Sequence, residues 1–503
     1  MSAATEGLVE GLRARPRRVV LAGNYGSGNL GDELLLRVIA GWVREAGGEA
    51  SAISVDPAYT ERAHGMRGVG YSDAAAMADA VAGADLLVLG GGGLLQDYDE
   101  LDEDALERFP AFGATQFAQY ALLATALDVP YVALAQGVGP LRGASARRIA
   151  SHVFASAYAA SLRDRESAAL LRDVGCAARW PVAPDPGWAW RPADASPRTP
   201  SRVDESLRGR KVLAVLLRDW AFDAAWEDRF AAAFGPSLAG DWACLWIDFR
   251  RGAEHDPSIS ERMRARLPGV HASWRGDDLD EAYGVIAGCD AVLAMRMHGA
   301  LLAHVAGRPA VAIEYDGKVA ALADEAGVPD AQRVPLTAIG ERLAPAISAA
   351  TGAGAYCMAP ARVAELAARS LEHRDVLWRA MAATAGAPDA APRARWLATW
   401  ARQAAAAPGL AAAAERRLHR ELDQGRVVLD QIARAAAEIA EGREEAARLA
   451  QALAQALAER DAARGDAVRW QAAHEAIAGS RSYRYAEPAR RVLAAWRAWR
   501  GSR

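Results

Sequence analysis

The stretch RRVVLAGNYGSGNLGDE (residues 17–33) reads as a strand, a glycine-rich turn and the start of a helix. Its apolar half shows no alternation of polar and apolar residues, the texture of a parallel strand covered on both faces. The pattern returns in DLLVLGG (85–91) and YVALAQG (131–137), each a continuous run ending in glycine, with helix-length segments at 32–46 and 114–127 between them. A second set follows: KVLAVLLR (211–218), WACLWIDF (242–249), CDAVLAM (289–295) and RPAVAIEYD (308–316). RPADASPRTPSRVDES (191–206), rich in Pro, Ser and charge, joins the two sets as a linker. The expectation is an α/β fold with two Rossmann-like doubly wound domains, at 17–196 and 207–358, after an N-terminal extension at 1–16. A ligand cleft is expected between their C-terminal strand edges.

After residue 358 no strand signal remains. A helical segment is expected at 359–410, with one helix over 360–385 broken by GAPDAAPR (386–393). From 411 to 478, Leu418, Leu422, Leu429, Ile432, Ala436 and Ile439 keep 3/4 spacing, and Ala446, Leu449, Leu453 and Ala456 take up a second register. This predicts an α-helical coiled coil or helical hairpin, through which the chain could form a homo-oligomer; a lone solvated helix is the alternative. The tail at 479–503 sets Val492, Trp496 and Trp499 on one helical face. Its last 23 residues hold seven arginines against the single acid Glu487. Such a helix can lie on an anionic inner membrane surface, or simply cap the helical tail.

Composition removes several function classes. Lys and Arg total 59 against 63 acids, a net charge of −4, so a dedicated nucleic-acid binder is excluded. A hydrophobic share of 52% excludes a mostly disordered chain. Four cysteines stand far apart without a CxxC pair, which argues against a disulfide framework or a cysteine zinc site. With neither a signal-peptide core nor an apolar run of about 18–20 residues, a cytoplasmic location is expected, peripheral at the inner face of the membrane if the tail docks there. Only two of the 59 cations are lysines, Lys211 and Lys318.

The motifs gather at the strand ends. In GNYGSGNLGDE, Gly26, Gly28 and Gly31 spell GxGxxG and Asp56 ends the next apolar run, so a dinucleotide site must be weighed. Asp32 and Glu33 oppose it, because they put two carboxylates where a pyrophosphate would sit. Gly26, Asn29 and Gly31 are therefore taken as substrate-binding candidates. LVLGGGGLLQD (87–97) puts four glycines, Gly92 and Gly93 among them, at a strand end, and Asp97 within reach of the cleft. The acidic run through Asp104 reads as a solvated face and no metal site is assigned. AQGVGPL (135–141) offers Gln136, SLRDRESAALLRDVG (161–175) offers Arg163 or Arg165, and VAPDPGW (182–188) sets Asp185 at a strand end.

The segment AVLAMRMHGALLAHVAGRPAVAIEYDGKVAAL (291–322) places Arg296 and His298 at a helix N-terminus, an anion site by dipole and charge together. Lys318 follows the next strand end, near His298 in such a fold. His304, further along the helix, reads as a buried structural histidine.

These motifs, in this order over about residues 17–329, resemble the polysaccharide pyruvyl transferases of the bacterial CsaB type. The tail is not covered; its SYRYAEPARR resembles segments that follow coiled coils in some bacterial glycosyltransferases. The resemblance implies a GT-B-like pair of domains with phosphoenolpyruvate as donor substrate and no cofactor. The acceptor would be a sugar of a cell-surface polysaccharide or its lipid-linked precursor, converted to a pyruvate ketal with release of phosphate. It also implies phosphoenolpyruvate contacts at Arg163, His298 and Lys318.

The residue types suit that chemistry. Arginine binds a carboxylate bidentately and lysine meets a phosphate as a point charge. A histidine beside a dianion is favoured in its protonated form, ready to protonate the donor's methylene carbon. On this reading His298 is the general acid, Arg163 and Lys318 hold the donor with Arg296 in support, and Asp97 or Asp32 is the base. A GT-B glycosyltransferase using a nucleotide sugar, or a coiled-coil scaffold on an inactive core, are the rival readings.

Overall fold

The computed structural model describes residues 3–98, 113–176, 178–193, 196–220, 222–223, 225–235, 241–252 and 255–384. Among them, twelve strands form two six-stranded sheets, parallel throughout. The first contains β1 (Arg18–Ala22), β2 (Glu49–Ser54), β3 (Arg67–Gly70), β4 (Leu86–Leu95), β5 (Tyr131–Val138) and β6 (Ala159–Leu162), in the order β3-β2-β1-β4-β5-β6. The second contains β7 (Lys211–Leu216), β8 (Trp242–Ile247), β9 (His271–Trp274), β10 (Ala291–Ala294), β11 (Ala310–Glu314) and β12 (Arg333–Pro335), in the order β12-β11-β10-β7-β8-β9.

Both sheets therefore follow one doubly wound plan, with the strand order reversing beside β1 in one and β7 in the other. In such sheets ligands bind outside the carboxyl ends of the strands at the reversal. The unbroken apolar runs have the reason the sequence suggested: β5 is buried along its whole length and β1 at every residue after Arg18. One departure concerns the four glycines. The strand does not end there but continues through Gly90 to Leu95, with the register to β5 shifting between Gly92 and Leu95.

One apolar cluster joins the facing sides of the two domains, from Leu21 and Leu34 to Leu216 and Leu301. The helix expected over 360–385 runs as Pro360–Ala383. It leaves the second domain and packs on the first. Trp378 Nε1 donates to the Trp42 carbonyl at 2.8 Å, and Arg17 Nε donates to that of Met381 at 3.2 Å. The buried His373 donates from Nε2 to the carbonyls of Ala183 and Pro184 and accepts at Nδ1 from the Ser161 hydroxyl; burial lowers its pKa to about 4. The N-terminal helix Ala3–Ala14 joins the cluster through Val9 and Leu12. No described helix is long and apolar enough to cross a membrane. The rest of the 359–410 segment, the coiled coil expected at 411–478 and the basic tail at 479–503 lie outside the described residues.

Candidate functional site

Three strand ends bring the central cations together. Arg163 directly follows β6, His298 lies in the first turn of the helix Met297–Val305 after β10, and Lys318 opens the helix Gly317–Ala326 after β11. Asp185 sits among them, only 3% exposed. Its Oδ2 lies 3.5 Å from Arg163 Nη1 and its Oδ1 lies 3.4 Å from His298 Nε2. Arg163 and Asp185 come from the first domain and His298 from the second, so the set exists only where the domains meet.

Two buried atoms of the set, His298 Nε2 and Asp185 Oδ2, make no hydrogen bond. Burial alone would raise the Asp185 pKa. The charges of His298 and Arg163 and the N–H of Gly187 outweigh it and hold the carboxyl well below the usual range. Lys318 Nζ pairs with Asp316 Oδ2 at 2.9 Å and lies 5.9 and 5.5 Å from the rings of Tyr98 and Tyr315. The Tyr98 hydroxyl, from the first domain, donates to that same Asp316 oxygen.

A cleft of about 410 Å³ opens here, with Arg163, Asp185, Lys318 and Glu325 in its wall. That volume is in the range of small-molecule sites. Glu325 went unnoticed in the sequence, where nothing marks it out. Burial, with Asp185 adding, raises its pKa to about 7 against the hydrogen bond it accepts from Trp188 Nε1 at 2.8 Å.

The chain matches the family described as polysaccharide pyruvyl transferase over residues 29–317, more than half of its length. It belongs to that family. The chain is therefore a transferase, and the family implies a polysaccharide or sugar acceptor. No curated protein matches it in sequence. Solved structures with a similar two-domain, GT-B-like arrangement include Anabaena HepE in complex with UDP, 15% identical over 72% of this chain and 98% of that chain, at a TM-score of 0.48. The S. aureus MnaA–UDP structure is 11% identical over 67% and 93%, at 0.45. A glycosyltransferase from Rickettsia africae is 9% identical over 73% and 96%, at 0.43.

Two glycines of this family member make room for the site's own side chains. A Cβ on Gly31 would lie 2.4 Å from His298 Nδ1, and one on Gly137 would lie 2.4 Å from an Arg163 guanidinium nitrogen. Gly31→Ala is thus expected to displace the imidazole and cut turnover by about 10²-fold, with little change in thermal unfolding. Paired activity and unfolding measurements read this; an unchanged turnover would mean the ring position is immaterial.

The other expected residues divide sharply. Asp32 is held in the glycine loop: its Oδ2 accepts from Asn24 and Asn29 amides at 2.8 and 2.7 Å, leaving Oδ1 toward Gly92. Gly93 lies beside Arg163. Asp97 is taken up by main-chain donors. Both its oxygens accept from the Arg142 N–H and one also from that of Gly143, so it pins the loop after β5. Gln136 is likewise engaged inside the sheet, where its amide donates to the carbonyls of Leu89 and Leu134.

Asn29 caps the helix Leu30–Glu45, and Gly26 is needed because a Cβ there would collide with Ser54 and the Asp56 N–H. Arg296 is committed to the fully buried Asp256, with Nε 2.9 Å from Oδ2 and a second bond from Nη2. The dinucleotide reading fails locally. Glu33 accepts the Gly26 N–H at 2.8 Å and pairs with His64, so the protein's own carboxylate fills that turn. Arg165 is exposed at the cleft rim, and His304 is buried beside Trp188 with its pKa lowered to about 4 by burial.

Proposed function

We propose that the enzyme takes phosphoenolpyruvate as donor and transfers its pyruvate as a ketal onto two hydroxyls of an acceptor sugar. The supporting observation is the buried Arg163–Asp185–His298 set beside Lys318, with His298 Nε2 and Asp185 Oδ2 unpartnered at an interdomain cleft. A small, doubly anionic donor suits a wall built from a guanidinium, an imidazole and an ammonium. The donor is a substrate, and no further cofactor enters this reading.

In the first step His298 gives a proton to the donor's methylene carbon and C2 becomes oxocarbenium-like. A sugar hydroxyl attacks C2 and loses its proton to Asp32. The C2–O bond to phosphate then breaks, and the second hydroxyl closes the ketal on the same carbon. Asp32 passes the first hydroxyl's proton to the departing phosphate and is restored, and the second hydroxyl's proton restores His298, so one phosphate is released per ketal. Asp185, 3.4 Å from the imidazole, holds it in place through the whole cycle. The acceptor is a sugar of a cell-surface polysaccharide or its lipid-linked precursor.

The test is phosphate release from phosphoenolpyruvate with a panel of sugar acceptors, with nucleotide release from nucleotide sugars measured beside it. A pyruvyl increment in acceptor mass is the expected result. Nucleotide release without phosphate release would overturn the donor in favour of glycosyl transfer.

A further inference from the structure

Four neighbouring strands of the second sheet each end on a cation. In sheet order these are β11 with Lys318, β10 with Arg296, β7 with Arg218 and β8 with Arg250. Lys318 is paired with Asp316 and Arg296 with Asp256. Among the described residues Arg218 and Arg250 form no ion pair.

Each is nevertheless fixed in place. The Arg218 guanidinium lies 5.3 and 5.0 Å from the rings of Trp220 and Tyr315, and its Nη1 donates to the Tyr315 hydroxyl at 2.9 Å. Arg250 is held through its backbone, whose N–H donates to Asp256 at 2.9 Å, while its Nε is buried with no partner. The N-terminal glycine loop is clamped onto the same place, Leu30 N to Phe249 O and Arg251 N to Gly28 O, both at 3.0 Å.

The local field is strongly positive. Burial and then Arg296 lower the Arg250 pKa, with Arg218 adding, and Asp32 and Asp256 only partly oppose them. Burial alone would raise the Tyr315 hydroxyl, yet Lys318, Arg218 and Arg296 bring it below its usual value. Both arginines are half-buried, and a partly desolvated cation without an ion pair favours an accompanying anion. The place is also the point where the strand order reverses, between β7 and β10.

We propose that Arg218 and Arg250 form a second anion subsite, which binds a phosphate carried by the acceptor sugar. This rests on the pyruvyl-transfer reading. It adds that the acceptor is a glycosyl phosphate or diphosphate, as a lipid-linked precursor is, and not a neutral finished polysaccharide. Asp32, facing the same cluster, is then within reach of the acceptor's hydroxyls while the phosphate lies against the arginines. The donor's own phosphate is the other possible occupant, and the experiment separates the two.

Inorganic pyrophosphate is titrated calorimetrically into the full chain at saturating phosphoenolpyruvate, and phosphoenolpyruvate is titrated alone. Wild type is compared with Arg218→Gln, Arg250→Gln and the charge-keeping Arg250→Lys. The expected result is pyrophosphate binding to the donor-loaded wild type, weakened about 10-fold or more in each Gln variant and largely restored in Arg250→Lys. Phosphoenolpyruvate affinity stays within about 2-fold throughout. No pyrophosphate binding to donor-loaded wild type overturns the subsite. An equal loss of phosphoenolpyruvate affinity in the Gln variants overturns the acceptor assignment and gives the arginines to the donor. A wild type that binds pyrophosphate but not phosphoenolpyruvate keeps the subsite and sinks the donor reading instead.

Discussion

Replacing His298 by alanine is expected to lower turnover by about 10²–10⁴-fold, the usual contribution of a positioned general acid, while phosphoenolpyruvate binding weakens far less. The split follows from the neighbours. Arg163 and Lys318 remain to hold the donor's anionic groups, since neither depends on His298 for its place: Arg163 is anchored between Asp185 and Asp164, and Lys318 on Asp316. What disappears is the proton for the methylene carbon, which an arginine does not supply at any ordinary pH. Phosphate release with acceptor present, read beside calorimetric donor affinity, checks both halves. Near-normal phosphate release would remove His298 from the acid role, and a collapse of donor affinity with matching loss of rate would make it a binding residue only. A product formed in heavy water should carry deuterium in its pyruvyl methyl group, since that carbon takes its new hydrogen from an exchangeable donor.

Much of this arrangement was legible because a doubly wound sheet places its chemistry at strand ends. Once continuous apolar runs were recognised as strands, Arg163, His298 and Lys318 lay shortly past three of them, and the family resemblance singled them out together. The same rule misled at Asp97 and Gln136, which share that address but are used up by main-chain N–H and C=O groups. Position past a strand end says where a side chain starts, not whether its hydrogen-bonding capacity is already taken. The glycines carry a related lesson. Gly31 reads as space for a ligand, but the space belongs to an imidazole of the chain itself, as the space at Gly137 belongs to a guanidinium. Residues such as Asp256 and Glu325 left no trace in the sequence, because a helix-borne acid acquires its role only when another strand end folds against it. The return of the helix Pro360–Ala383 to the first domain is of the same kind: its apolar positions are visible, but the face that receives them lies from 189 to 364 residues away.

Asp185→Asn is expected to lower both stability and turnover, and the two effects share one cause. Asparagine keeps the shape and can still accept the Gly187 N–H, so the backbone turn is preserved and only the charge is lost. Arg163 is then buried with Asp164 alone, and His298 faces a neutral amide. Breaking one partner of a buried ion pair costs about 3 kcal/mol, which in a domain of this size is a fall of about 6–12 °C in Tm. The sign with pH follows from the direction of the shift. The Asp185 pKa is lower in the folded chain than the value near 3.9 of the unfolded one. Its contribution is therefore complete above about pH 4 and disappears as pH falls through the folded value. The stability gap between wild type and variant should be full at pH 7 and smaller at pH 3, as urea unfolding at both values would show. For the rate, Asp185 faces both Arg163 and His298, so losing its charge loosens their placement and turnover should fall by about 10²-fold. Equal gaps at pH 7 and pH 3 with unchanged turnover would reduce Asp185 to a spacer. Lowered turnover with a constant gap would leave its effect on His298 intact while placing the stability of Arg163 on Asp164 instead.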